Sequence, residues 1–150
     1  MNKETKTDIS KNIIVLQEKK EQVYNSFNIV ALTMINHLAT VCPLSYCNKH
    51  KDTIALYFKM KPAEPIVLFI NHVYMNDTYV KSIKNGDDGF FMAQNYDDLE
   101  DNSKIFEFKE LWKLLTVGSQ NLVKKSMNML VDRVETYINI LSEINTLKKN

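Results

Sequence analysis

The 150-residue chain contains few cysteines, glycines and prolines. Two cysteines are too few for the disulfide scaffold of a small secreted domain. With three glycines and three prolines, the chain has no low-complexity tract and no Gly/Ser-rich linker. It also lacks the run of about 18 apolar residues that a membrane-spanning helix requires, and its polar first eight residues do not resemble a signal peptide. These absences predict a single cytosolic domain that does not span a membrane.

An excess of one charge is also absent, since 19 basic residues face 18 acidic ones. A dedicated nucleic-acid-binding protein usually has a basic domain or stripe, so the charge balance disfavours nucleic acid as a partner. A lysine patch with nearby tyrosines is kept as a distant alternative for binding single-stranded nucleic acid. Its residues are Lys49, Lys51, Lys59 and Lys61, with Tyr46 and Tyr57. The single arginine, Arg133, weakens this alternative because arginine stacks on bases and binds phosphate better than lysine.

Two segments have the heptad spacing of long, packed helices. The first covers residues 9–41, follows a tail at residues 1–8 that we expect to be disordered, and is interrupted by polar Lys20 and His37. The second lies in a helical hairpin at residues 105–148, where a short helix containing Trp112 precedes a long one. Gly118 is the predicted C-cap of the short helix and Ser119 the predicted N-cap of the long one.

Between these helices, residues 53–94 have the pattern of an antiparallel β-meander. Thr53–Met60 alternates apolar and polar residues, and Ile66–Ile70 is a continuous apolar run typical of a central strand. Turn residues then precede two more expected strands, Thr78–Ile83 and Phe90–Gln94. The sequence therefore predicts an α+β fold, in which a four-stranded meander is flanked by two long helices and one short helix.

The first long helix is too long for a small domain to cover. At 1.5 Å per residue it reaches roughly 50 Å, beyond the diameter of a 150-residue domain. Its apolar stripe must therefore contact the other heptad helix, a second copy of the chain or another protein. The predicted interface residues are Ile9, Ile13, Leu16, Lys20 and Val23 of the first helix, with Val134, Tyr137, Leu141 and Ile144 of the second. A polar seam residue such as Lys20 can fix the register of such an interface.

No group of residues has the spacing of a known catalytic or cofactor site. Cys42, Cys47, His50 and His72 would form a four-coordinate zinc site if the fold brought them together, but their spacing matches no common zinc module. The same residues lack an orienting carboxylate and a glycine-rich turn for nucleophilic catalysis, and no phosphate-binding glycine motif occurs. The sequence predicts no enzyme activity, no cofactor, no structural metal and no evident small-molecule substrate.

Residues 105–134 read IFEFKELWKLLTVGSQNLVKKSMNMLVDRV. Their apolar helix, polar break and second apolar helix resemble the C-terminal part of small uncharacterised proteins of nucleocytoplasmic large DNA viruses. The abundance of lysine, asparagine and isoleucine also indicates an AT-rich genome. The resemblance implies an origin and assigns no site residues.

These observations predict a non-enzymatic structural or interaction protein whose heptad helices mediate self-association or docking to another protein. A minor virion or assembly component, in the host cytoplasm or the virion, is the form that the viral resemblance implies. The alternative is a regulatory adaptor that binds a host or cellular protein. A structural component should self-assemble, whereas an adaptor should stay monomeric until its partner binds.

Overall fold

The computed structural model describes residues 6–92 and 111–149, and within these ranges every regular element is a helix. The predicted α+β fold and its four-stranded meander are therefore wrong. The helices are α1 (Lys6–Val41), α2 (Tyr46–Lys49), α3 (Lys51–Met60), α4 (Glu64–Phe69), α5 (Asp77–Asn85) and α6 (Val117–Lys149), with a π-helical segment at Ile70–Tyr74 after α4. Residues 111–114 are also helical.

Helices α1 and α6 form an antiparallel hairpin. Near the end of α1, the His37 Nε2 atom lies 2.9 Å from the Ser119 hydroxyl in the first turn of α6. Near the start of α1, Leu16 packs in one apolar cluster with Ile144, close to the end of α6. The two heptad stripes therefore face each other along most of the length of both helices.

The main core occupies the half of the hairpin where α1 ends and α6 begins. It combines residues from α1, α4, α5 and α6 with Phe90, Phe91 and Trp112, which lie between α5 and α6. Its buried apolar members are Phe27, Ala31, Leu38, Ile66, Ile83, Phe90, Phe91, Trp112, Val123, Met127, Leu130, Val131, Val134 and Tyr137. We call this half the body. The short helices supply the third side that a two-helix hairpin lacks, which allows the body to bury a core typical of a globular domain.

The other half of the hairpin has a core of its own. Leu16, Ile140 and Ile144 are buried there, and within residues 6–92 and 111–149 the apolar side chains packed around them also come from α1 and α6. We call this half, residues 6–20 and 140–149, the stalk. It extends roughly 20 Å at 1.5 Å per residue. The stalk is therefore a two-helix projection stabilised by one apolar seam.

The first predicted strand, Thr53–Met60, belongs to helix α3. The side chains that are half-buried are Ile54, Tyr57 and Phe58, which have the spacing of a helical face, whereas Leu56 and Met60 are exposed. Over so short a segment, apolar residues that alternate as in a strand can also fit the 3.6-residue period of a surface helix. The exposed residues Leu56 and Met60 produced the false β pattern.

The second predicted strand, Ile66–Ile70, consists of α4 and the first residue of the π-helical segment. Pro65 lies in the first turn of α4, where its missing N–H removes no helical hydrogen bond. Ile66 is buried and Phe69 packs against the core, while Val67 and Leu68 point outward. The prediction of a buried strand is wrong here, because a short apolar run fits a helix as well as a strand.

The third predicted strand, Thr78–Ile83, belongs to α5, and the expected turns on either side of it are helix caps. The Asn76 side chain accepts a hydrogen bond from the Tyr79 N–H at the start of α5. Gly86, with φ of 69°, ends the helix in the left-handed conformation. Asparagine and glycine favour caps for the same reasons that they favour turns.

The fourth predicted strand, Phe90–Gln94, has turns instead over residues 90–92, and residues 93 and 94 lie outside the described residues. The expected disordered tail also differs, because residues 6–8 already belong to α1. At the start of α6, the N–H of Ser119 donates to the Thr116 hydroxyl. Thr116 therefore caps α6, and Gly118 lies inside its first turn.

Candidate interaction surface

The predicted interface residues lie in the seam between α1 and α6 of one chain. Four of them, Leu16, Val134, Tyr137 and Ile144, are buried there. The others are half-buried: Ile9, Ile13, Lys20, Val23 and Leu141. Their first role is thus to hold the hairpin together. Contact of the buried members with a second chain stays a prediction, and it would require the hairpin to open.

Polar contacts fix the register of this seam. The Arg133 Nε–H donates to the Ser26 hydroxyl at 2.9 Å, which links the middles of the two long helices. The His37–Ser119 hydrogen bond links the helices at the end of the body. Because each polar group has a specific partner, a shift of one helix along the other would break both bonds. The heptad pattern supplies apolar attraction, and these side chains select one alignment.

The side chains of the four candidate zinc ligands lie in different environments. The His50 ring packs on Tyr46, with ring centroids 4.2 Å apart, and Cys47 packs against the main core. Burial raises the pKa of the Cys42 thiol, which disfavours the thiolate that binds metal. His72 is exposed on the π-helical segment. Across residues 6–92 and 111–149, no three histidine, cysteine, aspartate or glutamate side chains are placed to hold a metal ion.

The lysines and tyrosines considered for single-stranded nucleic acid lie on α2, α3 and the turn that follows. The Tyr57 hydroxyl donates to Glu64 at 2.9 Å, and burial together with this carboxylate raises the pKa of Tyr57. Lys61 also lies 3.9 Å from Glu64. One tyrosine and one lysine of the patch therefore already contact an acidic side chain, an arrangement that disfavours phosphate. Binding of nucleic acid there stays a prediction.

Four residues on α1 form a surface that the heptad pattern does not indicate. Lys11, Ile14, Val15 and Glu18 follow the i, i+3, i+4, i+7 spacing of one helical face, and all four are exposed. Ile14 is 57% exposed and Val15 is 47% exposed. We call this set the outer face of the stalk. At 3.6 residues per turn it lies on the side of α1 opposite the seam.

A signal for this face was present in the sequence. Residues 13–16 read Ile-Ile-Val-Leu, and four consecutive residues of a helix point in nearly all directions around its axis. The seam to α6 covers Ile13 and Leu16, so Ile14 and Val15 are left facing outward. An unbroken apolar run on a helix with only one partner helix thus indicates a second contact surface.

A second group of exposed apolar side chains lies at the opposite end of the molecule, where α1 ends and α6 begins. Its members are Val41, Leu44, Leu114 and Val117. They belong to the ends of several elements and do not form one helical face. The outer face of the stalk is the more regular surface because one helix supplies all four of its residues at fixed spacing.

Comparison of the chain with protein-family models, with curated proteins and with solved structures finds no match. Within the described ranges, no helix combines the length and the apolar character needed to cross a membrane. The case for a function therefore depends on the surfaces of the chain itself.

Proposed function

We propose that this protein is a non-enzymatic structural or interaction protein that associates with protein through the outer face of the stalk. Self-association is the favoured form, and the viral resemblance makes a minor virion or assembly component in the host cytoplasm its expected setting. The observation that carries the proposal is the exposure of Ile14 and Val15 on a helix whose other side is already packed against α6.

The stalk does not need these two side chains for its own stability. Its buried cluster is complete with Leu16, Ile140 and Ile144, while Ile14 and Val15 face away from it. Covering a branched apolar side chain contributes about 1.5–3 kcal/mol when it passes from full exposure to full burial. Adjacent exposed residues of this kind on a projecting element are typical of an association surface.

The shape of the molecule supports the same proposal. The body anchors α1 and α6 through a core of aromatic and aliphatic side chains, so the stalk projects from a rigid base. In the part of the chain that the structure describes, α1 forms the outer face by itself, because α6 packs on the opposite side of α1. Helical surfaces presented in this way bind other helices through residues at i, i+3, i+4 and i+7.

The test compares two exposed isoleucines on the same helix. Ile14 lies on the stalk, whereas Ile29, 68% exposed, lies on the part of α1 that belongs to the body. The molar mass of each purified chain is measured by light scattering over a wide concentration range, with helix content checked by circular dichroism. We expect the wild-type mass to rise above the 17.5 kDa of one chain, Ile14→Ser to reduce that rise, and Ile29→Ser to leave it unchanged.

The proposal of self-association is wrong if the wild-type mass stays at that of one chain throughout, or if Ile14→Ser and Ile29→Ser behave alike. A monomeric wild type whose Ile14→Ser variant loses a heterologous partner would favour the alternative, a regulatory adaptor. That alternative needs the same exposed face but a different occupant, so the two variants serve both experiments.

A further inference from the structure

The charges on the outer face of the stalk are arranged symmetrically about its apolar centre. Lys11 lies three residues before Ile14, and Glu18 lies three residues after Val15. The next residues along the middle of this face, Thr7 and Gln22, are exposed and uncharged, and the exposed carboxylates Asp8 and Glu21 lie on opposite flanks of it. The positive charge of Lys11 and the negative charge of Glu18 therefore lie at equal distances on either side of the apolar centre. Such a surface is complementary to itself when it is turned end for end.

We infer that the partner of the outer face is a second copy of this chain, packed antiparallel about a two-fold axis that passes between Ile14 and Val15. This inference rests on the proposed function and specifies its partner. In this arrangement Ile14 and Val15 of one copy pack on the same two residues of the partner subunit, and Lys11 lies opposite Glu18 of the partner subunit. The two-fold axis repeats both contacts, which is the property of an isologous interface.

The charges favour this arrangement over a parallel one. Two parallel outer faces would place Lys11 beside Lys11 and Glu18 beside Glu18, and like charges at close range oppose association. An antiparallel pair replaces both repulsions by attraction. The seam to α6 stays closed, because the outer face lies on the other side of α1, so the assembled pair contains four helices, with the two copies of α1 in contact at the centre.

The contact is small, which sets the expected strength. It extends over residues 7–22 of each copy and falls below the roughly 1,200 Å² of stable complexes. We therefore expect weak, concentration-dependent dimers that strengthen at low salt, where surface charges are less screened.

Charge reversal tests the register. Lys11→Glu turns both ion pairs of a homodimer into acidic repulsions, and Glu18→Lys turns both into basic ones. Each variant alone is expected to dimerise about 10-fold more weakly than wild type at low salt, as measured by sedimentation equilibrium. An equimolar mixture of the two variants restores both attractions, and so does the double variant Lys11→Glu/Glu18→Lys. Lys125→Glu, on an exposed part of α6 outside the stalk, controls for net charge and should dimerise like wild type.

The outcomes separate the inference from the proposed function. If Ile14→Ser weakens association but both charge reversals associate as tightly as wild type, the outer face remains an interaction surface and the antiparallel arrangement is wrong. If the mixture and the double variant fail to recover, the pairing of Lys11 with Glu18 is wrong. If Ile14→Ser itself has no effect, the proposed function fails together with the inference.

Discussion

Trp112 offers the most direct test of the body's core. It is the only tryptophan in the chain and is 2% exposed. Its ring stacks on Phe91 with centroids 3.9 Å apart and planes 5° from parallel. Its burial joins the residues just before α6 to the turns that follow α5.

Replacing Trp112 by alanine should lower the free energy of unfolding by about 3–5 kcal/mol. Loss of the stacked contact with Phe91 accounts for about 0.5–1.5 kcal/mol of this, and the cavity left behind accounts for much of the rest. A typical domain is stable by only about 5–15 kcal/mol, so the variant would be close to unfolding. In urea, the midpoint should fall by roughly 2 M if the slope is about 2 kcal/mol per molar urea.

Trp112→Phe is the matched control. The indole Nε1–H is buried and has no hydrogen-bond partner among the described residues, and an unpaired buried donor costs about 1–3 kcal/mol. Phenylalanine keeps a ring against Phe91 and removes that donor, so its loss of volume is partly offset. We expect a change below about 1.5 kcal/mol. Unfolding is followed by circular dichroism at 222 nm, because the variants lose the tryptophan signal. An alanine variant within about 0.5 kcal/mol of wild type would refute the packing described here, and equal losses for both variants would refute the argument from the unpaired N–H.

Two further predictions concern the turn after α5. Gly86 has φ of 69°, and no described residue lies within 4 Å of a Cβ added there. Gly86→Ala should therefore cost about 1–2 kcal/mol from backbone strain and Gly86→Asn less, and equal urea midpoints for Gly86→Ala and wild type would contradict the left-handed cap. A Cβ on Gly89 would lie 3.0 Å from the Asp87 carboxylate and the Ser82 hydroxyl, so Gly89→Ala should cost about 1–3 kcal/mol from overpacking. Hydrogen bonds from the Ser82 hydroxyl and the Gly89 N–H hold the pKa of Asp87 below its ordinary value. The ionised carboxylate therefore stabilises the fold at pH values above its unfolded-state pKa of about 4. This stabilisation is lost as pH falls through the lower pKa of the folded state. Melting temperature should consequently fall less toward acid pH in Asp87→Asn than in wild type, and parallel curves would show that the two hydrogen bonds do not favour the ionised form.

The long helices could be predicted because their pattern repeats many times. Residues 9–41 keep the heptad spacing up to the residue at which α1 ends, and Pro43 marks the stop. Over such a length, a β pattern and a helical pattern cannot coincide by chance. The partner of each stripe was less determined, because the sequence allowed either the other helix or a second chain.

The segment between the long helices could not be assigned in the same way. Ile54, Leu56, Phe58 and Met60 alternate perfectly, and only the exposure of Leu56 in the folded chain shows that the alternation has no structural role. A helix of about ten residues has too few turns for its period to dominate such coincidences. In the same segment, Gly86 fits a β-turn and a helix C-cap equally well.

The candidate interface was half predictable. The heptad pattern correctly indicates the residues that close the hairpin, including Leu16 and Ile144. It assigns no role to Ile14 and Val15, because they lie outside the heptad positions. Those residues became visible only when the structure showed that one partner helix, α6, covers one side of the stalk. An apolar run indicates an exposed apolar surface only when the structure shows how many neighbouring helices cover it.

The antiparallel hairpin also determines how the protein would respond to mechanical load. The outer ends of the two long helices, near Lys6 and Lys149, lie at the same tip of the stalk. A force applied between them acts across the seam and would peel the layers apart in order, with Ile144 and Leu16 separating before Arg133 and Ser26. Each step breaks only the contacts of one layer, so the stalk would unzip at low force while the body stays folded. In a pair of parallel helices the same two positions would lie at opposite ends, so the force would act along the seam and the layers would not separate one by one.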